Sequence, residues 1–351
     1  MEAVDGGGEQ SAYGEKHMRS KTANIVGRST LVVLLLTTFS YVIAATMHTQ
    51  SQSAKQASVT SPDVQKSFAT PQQAAEALIQ AAANYDVPAL LEIFGPDGKD
   101  FVSSADPVQD KKYAVAFAAK AREKNLVTIE SRARAIVLVG NDGWPLPIPI
   151  IKKGRKWYFD SQKGRDEILL RRIGANELDA IQICRGFVEA QKEYASEVHD
   201  NSGVNQYAQR IISTPGKRDG LYWQNEDGTP GGPISEAIAR AIEEGYSPSR
   251  PSGYHGYYFK VLKRQGPAAP LGQLDYVIEG VMIGGFALVA VPAEYRVTGV
   301  KTFTVSYDGI VYEKDLGPDS LSIVKNMDRY NPNKTWHRTE DEWANASPAR
   351  D

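Results

Sequence analysis

The stretch NELDAIQICRGFVEAQKEYAS, Asn176 to Ser196, decides how this chain is read. Ile181, Cys184, Val188, Gln191 and Ala195 fall along one stripe at helical spacing, with Phe187 and Tyr194 beside it. The pattern predicts a helix from Asn176 to Glu197. Asp166 to Ile173 is a shorter amphipathic stretch ahead of it, and Gly174 marks a break between the two. Cys184 is the single cysteine, so no intrachain disulfide forms. Its place on the apolar face predicts an inert, buried thiol.

Downstream of this helix the period changes. Tyr257 to Lys263, Asp275 to Glu279, Phe286 to Val291, Thr302 to Ser306 and Ile310 to Lys314 are β-type segments separated by Gly, Pro and Asp-Gly turns. Val305 to Ile310 reads as a hairpin, because Asp308-Gly309 supplies the positive φ of a tight turn. One long helix on an antiparallel sheet is the simplest solution, which makes residues 166–328 an α+β domain. From Asn331 the sequence is polar, and residues 329–351 read as a loosely held tail.

Upstream lies a second α+β domain, residues 67–165. Thr70-Pro71-Gln72-Gln73 is a helix start, with Thr70 as cap, Pro71 in the first turn and Gln73 closing a capping box. Ala75, Leu78, Ile79 and Ala82 follow on one face. Further helices are expected over Pro88–Phe94 and from about Lys111 to Lys124, with Tyr113, Phe117 and Ala118 inward. Arg134–Val139 and Lys156–Phe159 read as strands. Between them Pro145, Pro147 and Pro149 alternate with Leu146, Ile148 and Ile150, a pattern confined to an edge or covered extended segment.

The first 66 residues are of another kind. TLVVLLLTTFSYVIAATM, Thr30 to Met47, carries no charge and as a helix spans about 27 Å, enough for a hydrocarbon core. Lys16, Arg19, Lys21 and Arg28 precede it with no acid among them, so a cytoplasmic leader over residues 1–29 and export of the remainder are expected. Ile43-Ala44-Ala45 suits signal cleavage, while the long leader suits retention as a membrane anchor; both place the bulk of the chain outside the cytoplasm. No cysteine directly follows the run, so lipid attachment at a lipoprotein cysteine is excluded. Residues 48–66, rich in Ser, Gln, Thr and Ala, read as a flexible linker.

From about Phe68 to Met327 the chain closely resembles an uncharacterised bacterial family, domain of unknown function 2950. The resemblance rests on FGPDGKDFVSSADP (94–107), GWPLPIPIIKKGRKWYFD (143–160), RRIGANELDAIQICRGFVEAQKEYAS (171–196), STPGKRDGLYW (213–223), YHGYYFKVLKRQGPAAP (254–270), MIGGFALVAVPAEY (282–295) and GIVYEKDLG (309–317). It implies an exported, often membrane-tethered protein and assigns no activity. The opening TPQQAAEALIQAAANYDVPALLEIFGPDG is similar to the start of cone-shaped, nuclear-transport-factor-2-like domains. The helix from Asn176 and the later strands resemble a pseudopilin-like globular domain, which implies that fold. The pilin-type apolar helix is not continuous with this domain, so filament formation is not implied.

Composition excludes several functions. At 351 residues, 42% hydrophobic and 23% charged, with a net charge of −2, the chain has material for two cores and no general pull toward nucleic acid. No catalytic motif or cofactor motif stands out, and no cofactor is expected. The candidate binding surface is aromatic: Tyr222, Trp223, Tyr254, His255, Tyr257 and Tyr258 group amphipathic rings near glycines, suited to a protein partner or cell-wall polymer. Equally, alternate rings of such a group pack a helix on a sheet. Lys217-Arg218-Asp219-Gly220 reads as an anion-holding turn or a solvated one. Asp200, Asn201 and Asn205 set oxygen ligands at alternating positions, either a poor calcium loop or a plain turn. Lys152, Lys153, Arg155 and Lys156 form a basic patch suited to anionic lipid or wall polymer, or simply a hairpin end. The expected function is a non-enzymatic envelope module for binding or assembly. The alternatives are an envelope hydrolase with a site at the domain junction that includes His255 and Asp219, and a solute carrier with a cavity walled by Leu78, Phe94, Phe117 and Trp157.

Overall fold

The computed structural model describes residues 65–103, 107–199, 202–244 and 253–339, and these form two units that divide between Ile168 and Leu169. Residues 1–64, with the apolar stretch Thr30–Met47 and most of the linker, lie outside the described residues. Among the described residues no helix is long and apolar enough to cross a membrane.

In the first unit helix α1 (Pro71–Asn84) starts where its sequence requires. The Thr70 hydroxyl accepts from Gln73 N at 3.2 Å, and Gln73 Oε1 reaches back to accept from Ala69 N at 3.2 Å. Such a cap contributes about 1 kcal/mol. Helices α2 (Val87–Phe94), α3 (Lys99–Val102) and α4 (Pro107–Glu123) follow. They cover an antiparallel sheet of β1 (Asn125–Ser131), β2 (Arg134–Val139), β3 (Trp144–Pro145), β4 (Ile150–Lys153) and β5 (Lys156–Phe159). Strand β1 was not expected; it is exposed along nearly its whole length and so shows no apolar alternation. The proline segment is buried from Leu146 to Ile150. Proline N–H groups are missing from the ladder there, so β2 pairs with β3 and then with β4 across a gap. Leu78, Phe94 and Trp157 are buried in this core, with Phe94 edge-on to Phe101 and Phe159. The linker ends earlier than expected: Gln65 Nε2 donates to Ile93 O at 2.9 Å and to Phe159 O at 2.7 Å.

Helix α5 runs unbroken from Ser161 to Tyr194. It starts at Asp160, whose carboxylate accepts from Lys163 N at 3.1 Å. Gly174 does not break it. A Cβ there would meet nothing, so this glycine costs only its extra backbone entropy, about 1 kcal/mol. The buried stripe is the expected one: Ile181, Cys184, Phe187, Val188, Gln191 and Tyr194. Cys184 is fully enclosed, and burial pushes its thiol up to about 12.

The second unit contains β6 (Arg210–Ile212) parallel to β7 (Gly220–Gln224), with β8 (Pro230–Gly231) antiparallel to β7, then helix α6 (Glu236–Glu244). Strand β9 (Tyr257–Leu262) follows. Two short ribbons come next, β10 (Arg264–Gln265) with β11 (Leu274–Asp275) and β12 (Val277–Ile278) with β13 (Val281–Met282). They replace the single strand expected over Asp275–Glu279. The main sheet is completed by β14 (Ala287–Pro292), β15 (Lys301–Ser306), β16 (Tyr312–Asp315) and β17 (His337–Arg338), in the order β17-β16-β15-β14-β9. Helix α7 (Ser320–Asn326) lies on β14. Every residue of β14 is buried, as its uninterrupted apolar run ALVAVP demands of a sheet covered on both faces. Strand alternation assigns those faces. Lys260 reaches the end of α7, so Tyr258 and Leu262 point that way, while Tyr257 and Phe259 point toward α5.

Two further expectations differ from the structure. Gly309 has the expected left-handed φ of +74°, but pairing between β15 and β16 starts only at Thr304–Tyr312, so the loop is longer than a tight turn. The segment after Met327 is not loose up to Thr339. Tyr330 is buried, and β17 supplies the partner that the free edge of β16 lacks.

Candidate functional site

The middle of α5 grips the loops at one end of the main sheet. Asn176 Nδ2 donates to Thr298 O at 2.8 Å, and Glu177 Oε1 accepts from Val300 N at 2.8 Å and Lys301 N at 3.0 Å. Asp179 holds the next loop, with His255 Nδ1 at 2.7 Å from its Oδ2. A carboxylate only accepts, so Nδ1 is the donor of this pair and Nε2 is the ring's other nitrogen. Both side chains are partly exposed, at 39% for His255 and 35% for Asp179.

The turn bearing His255 has a defined geometry. Tyr254 and Tyr257 exchange both backbone hydrogen bonds, at 2.8 and 3.0 Å, around His255 and Gly256. These two residues have φ of +48° and +74°, the pattern of a type I′ turn. Such a turn favours Asn, Asp or Gly at its first central position; histidine, though commoner at positive φ than most side chains, stands there at a conformational cost. Gly256 is required as well, because a Cβ would run into the Asn176 side chain. Tyr254 stands edge-on to the His255 ring with centroids 4.4 Å apart. Burial raises the Tyr254 phenol above its ordinary value, and the Asp179 charge adds to this. Arg172 Nε, on the same stretch of α5, is buried with no hydrogen-bond partner among the described residues; burial lowers its guanidinium, which Glu294 opposes.

The other aromatic residues are divided between the core and a second cluster. Tyr257 is fully buried, with its hydroxyl donating to Lys301 O at 2.8 Å. Burial drives this phenol far up, with smaller contributions from Glu177, Cys184 and Glu313. Tyr258 and Tyr222 are buried too. Trp223 belongs to a stack with Tyr194 and His199, whose rings lie 3.9 Å apart, and Arg218 covers the indole at 5.4 Å. Sequence reasoning missed His199, Asp179 and Arg172; only the helical spacing of Asn176, Glu177 and Asp179 hinted at a polar edge on α5.

The Lys217–Gly220 turn is tied up internally. Lys217 N donates to Thr214 O at 2.9 Å and Gly220 N to Ser213 Oγ at 2.9 Å. Asp219 accepts from Thr214 N at 2.7 Å and from its hydroxyl at 2.8 Å, with Arg210 at 3.6 Å. Burial raises the Asp219 carboxyl, but these partners outweigh it and hold it below the usual carboxylate range. His255 and Asp219, named together for the alternative hydrolase, therefore have separate partners: Asp179 for the first, Thr214 for the second. Asp200 and Asn201 lie outside the described residues, and Asn205 is exposed, paired through its backbone with Val198. Among the described residues no group of three or more His, Cys, Asp or Glu is placed to hold a metal ion.

Comparison with known proteins yields one match. The family model described as "Protein of unknown function (DUF2950)" covers residues 65–339. No curated protein and no solved structure matches the chain.

Proposed function

The chain belongs to the DUF2950 family of proteins of unknown function, and from that premise we propose that it is an exported envelope module that binds a protein partner through the Tyr254–His255 corner. In this reading the uncharged stretch Thr30–Met47 leads it across the membrane or anchors it there, and the first unit takes a cone-shaped form while the second is pilin-like. A single observation supports the corner: an exposed histidine stands in left-handed backbone, with its ring fixed by Asp179 of a rigid helix. Strained, externally over-determined residues concentrate at functional sites. A preorganised imidazole and phenol lose little conformational entropy when a partner covers them.

The test is recovery of the partner from cell envelopes with the full chain, compared with His255→Gly and Tyr254→Ala. His255→Gly relieves the turn and removes the ring with its bond to Asp179, two opposing effects of about 1–2 kcal/mol each, so its thermal unfolding stays close to that of the parent. Loss of one partner band with unchanged folding supports the corner, and equal recovery by all three proteins rejects it.

The Asp179–His255 pair also favours a second reading, an envelope hydrolase in which Nε2 is a general base oriented by Asp179. Among the described residues no serine, threonine or cysteine hydrogen-bonds to Nε2, so the nucleophile in this reading is water. Hydrolysis of envelope esters or amides that Asp179→Asn abolishes establishes it; activity indifferent to Asp179→Asn removes it.

A further inference from the structure

The two tight turns at one end of the first unit's sheet concentrate charge. Arg132-Ala133 joins β1 to β2, and Gly154-Arg155 joins β4 to β5, with Gly154 at φ +64°. Arg134 pairs with Ile151, and Lys152 N donates to Ala133 O at 2.9 Å, so both turns lie at the same end. Arg132, Arg134, Lys152, Lys153, Arg155 and Lys156 are all exposed there. Glu130 is the one carboxylate among them, and it is taken by Arg134 at 2.6 Å. The chain as a whole carries −2, so this end is a local reversal of sign.

A second observation is that these cations are not balanced among the described residues. Lys153 and Lys156 stand directly opposite each other across β4 and β5. Like charges in that register destabilise a hairpin. Lys152 and Lys153 lie over the Trp157 and Tyr158 rings, at 5.6 and 5.8 Å, and among the described residues neither has an ion-pair partner. An anionic surface laid across the two turns relieves this repulsion.

We propose that this end of the sheet is a polybasic docking surface for the anionic phosphodiester headgroups of a bilayer. A bilayer fits better than a soluble polymer because of where the chain leads, which rests on the export proposed for Thr30–Met47. The seventeen residues 48–64 join the apolar stretch to Gln65. Gln65 hydrogen-bonds Phe159 O, about 10 Å of strand from Lys156. Fully extended, those residues reach about 60 Å, so an anchored chain keeps the basic end within range of the lipid surface.

The full chain is reconstituted into vesicles of neutral phosphatidylcholine and into vesicles with about a third phosphatidylglycerol. The lysines are then acetylated and read by mass spectrometry. Lys152, Lys153 and Lys156 are expected to be protected about five-fold or more in the anionic vesicles alone, with protection lost at high salt. Exposed Lys217 and Lys325, in the second unit, serve as references and stay unchanged. Lys152→Glu, Lys153→Glu and Lys156→Glu combined remove the protection of Arg132 and Arg155 against an arginine-directed reagent. Equal acetylation in both vesicle types overturns the proposal, as does equal protection by soluble polyphosphate. If the chain fails to float with neutral vesicles, the anchor reading falls alone, because added anionic vesicles still protect these lysines when the docking surface is real.

Discussion

Glu177→Ala is the sharpest perturbation of the second unit. One carboxylate oxygen receives Val300 N at 2.8 Å and Lys301 N at 3.0 Å, at the point where the loop enters β15. Hydrogen bonds to a charged group contribute about 1.5–3 kcal/mol each. The site is partly exposed, so water replaces some of this in the variant, and a net loss of about 2–4 kcal/mol is expected. For a unit of this size the midpoint then falls by about 5–12 °C. Glu177→Gln keeps one neutral acceptor and loses about 1 kcal/mol. Lys301 O also receives the Tyr257 hydroxyl, so loosening the loop uncovers a buried phenol. Urea unfolding followed by circular dichroism gives the free energies, and hydrogen exchange gives the local effect at the Val300 and Lys301 amides. If Glu177→Ala costs under about 0.5 kcal/mol, or those two amides exchange at the parent rate, the grip of α5 on this loop is wrong.

Lys260 donates to Val324 O, Lys325 O and Met327 O at 3.2, 2.8 and 2.8 Å, closing the C-terminus of α7. Lys260→Met keeps the stem and takes the ammonium from the Lys325 and Met327 carbonyls, while Val324 O keeps Met327 N; thermal unfolding should report a loss of about 2 kcal/mol. Tyr276 is fully buried, and burial pushes its phenol from 10.0 up to about 12. The unfolded phenol ionises first, so stability is full below about pH 10 and declines by roughly 2–4 kcal/mol as pH rises toward the folded value. Tyr276→Phe should flatten that decline in urea midpoints taken across pH 9 to 12, and an unchanged slope contradicts it. Asp219 has a depressed carboxyl, so its contribution is present above its ordinary value of 3.8 and is lost as pH falls through the lower folded value. Asp219→Asn should lower stability at pH 7 and weaken the acid dependence; parallel curves for the two proteins rule this out.

The legible parts of the fold were those written in short-range periodicity. The stripe Ile181, Cys184, Val188 and Gln191 faces the core as its spacing requires, and Arg134–Val139 and Lys156–Phe159 are strands at those boundaries. β1 was illegible because an exposed edge strand needs no apolar alternation. The segment around Tyr330 looked loose because its polar neighbours hid one buried ring and a strand whose partner is distant in sequence. Gly174 misled because glycine propensity is a weak prior that tertiary packing overrides. Gln191 shows the limit on polar residues in a stripe: fully buried, it pairs both amide atoms with the Ala208 backbone at 2.8 Å.

By itself the sequence determined the caps, the helix stripe, the inert place of Cys184 and the asymmetric charge around Thr30–Met47, because each depends on residues a few positions apart. Tertiary structure alone decided which polar groups meet. Asp179 and His255 are 76 residues apart, and nothing local to either identifies the other. The basic end of the first sheet is likewise two ordinary turns until pairing of Arg134 with Ile151 places them side by side. Local patterns fix elements, whereas a site is made by register and packing between elements that the chain brings together only on folding.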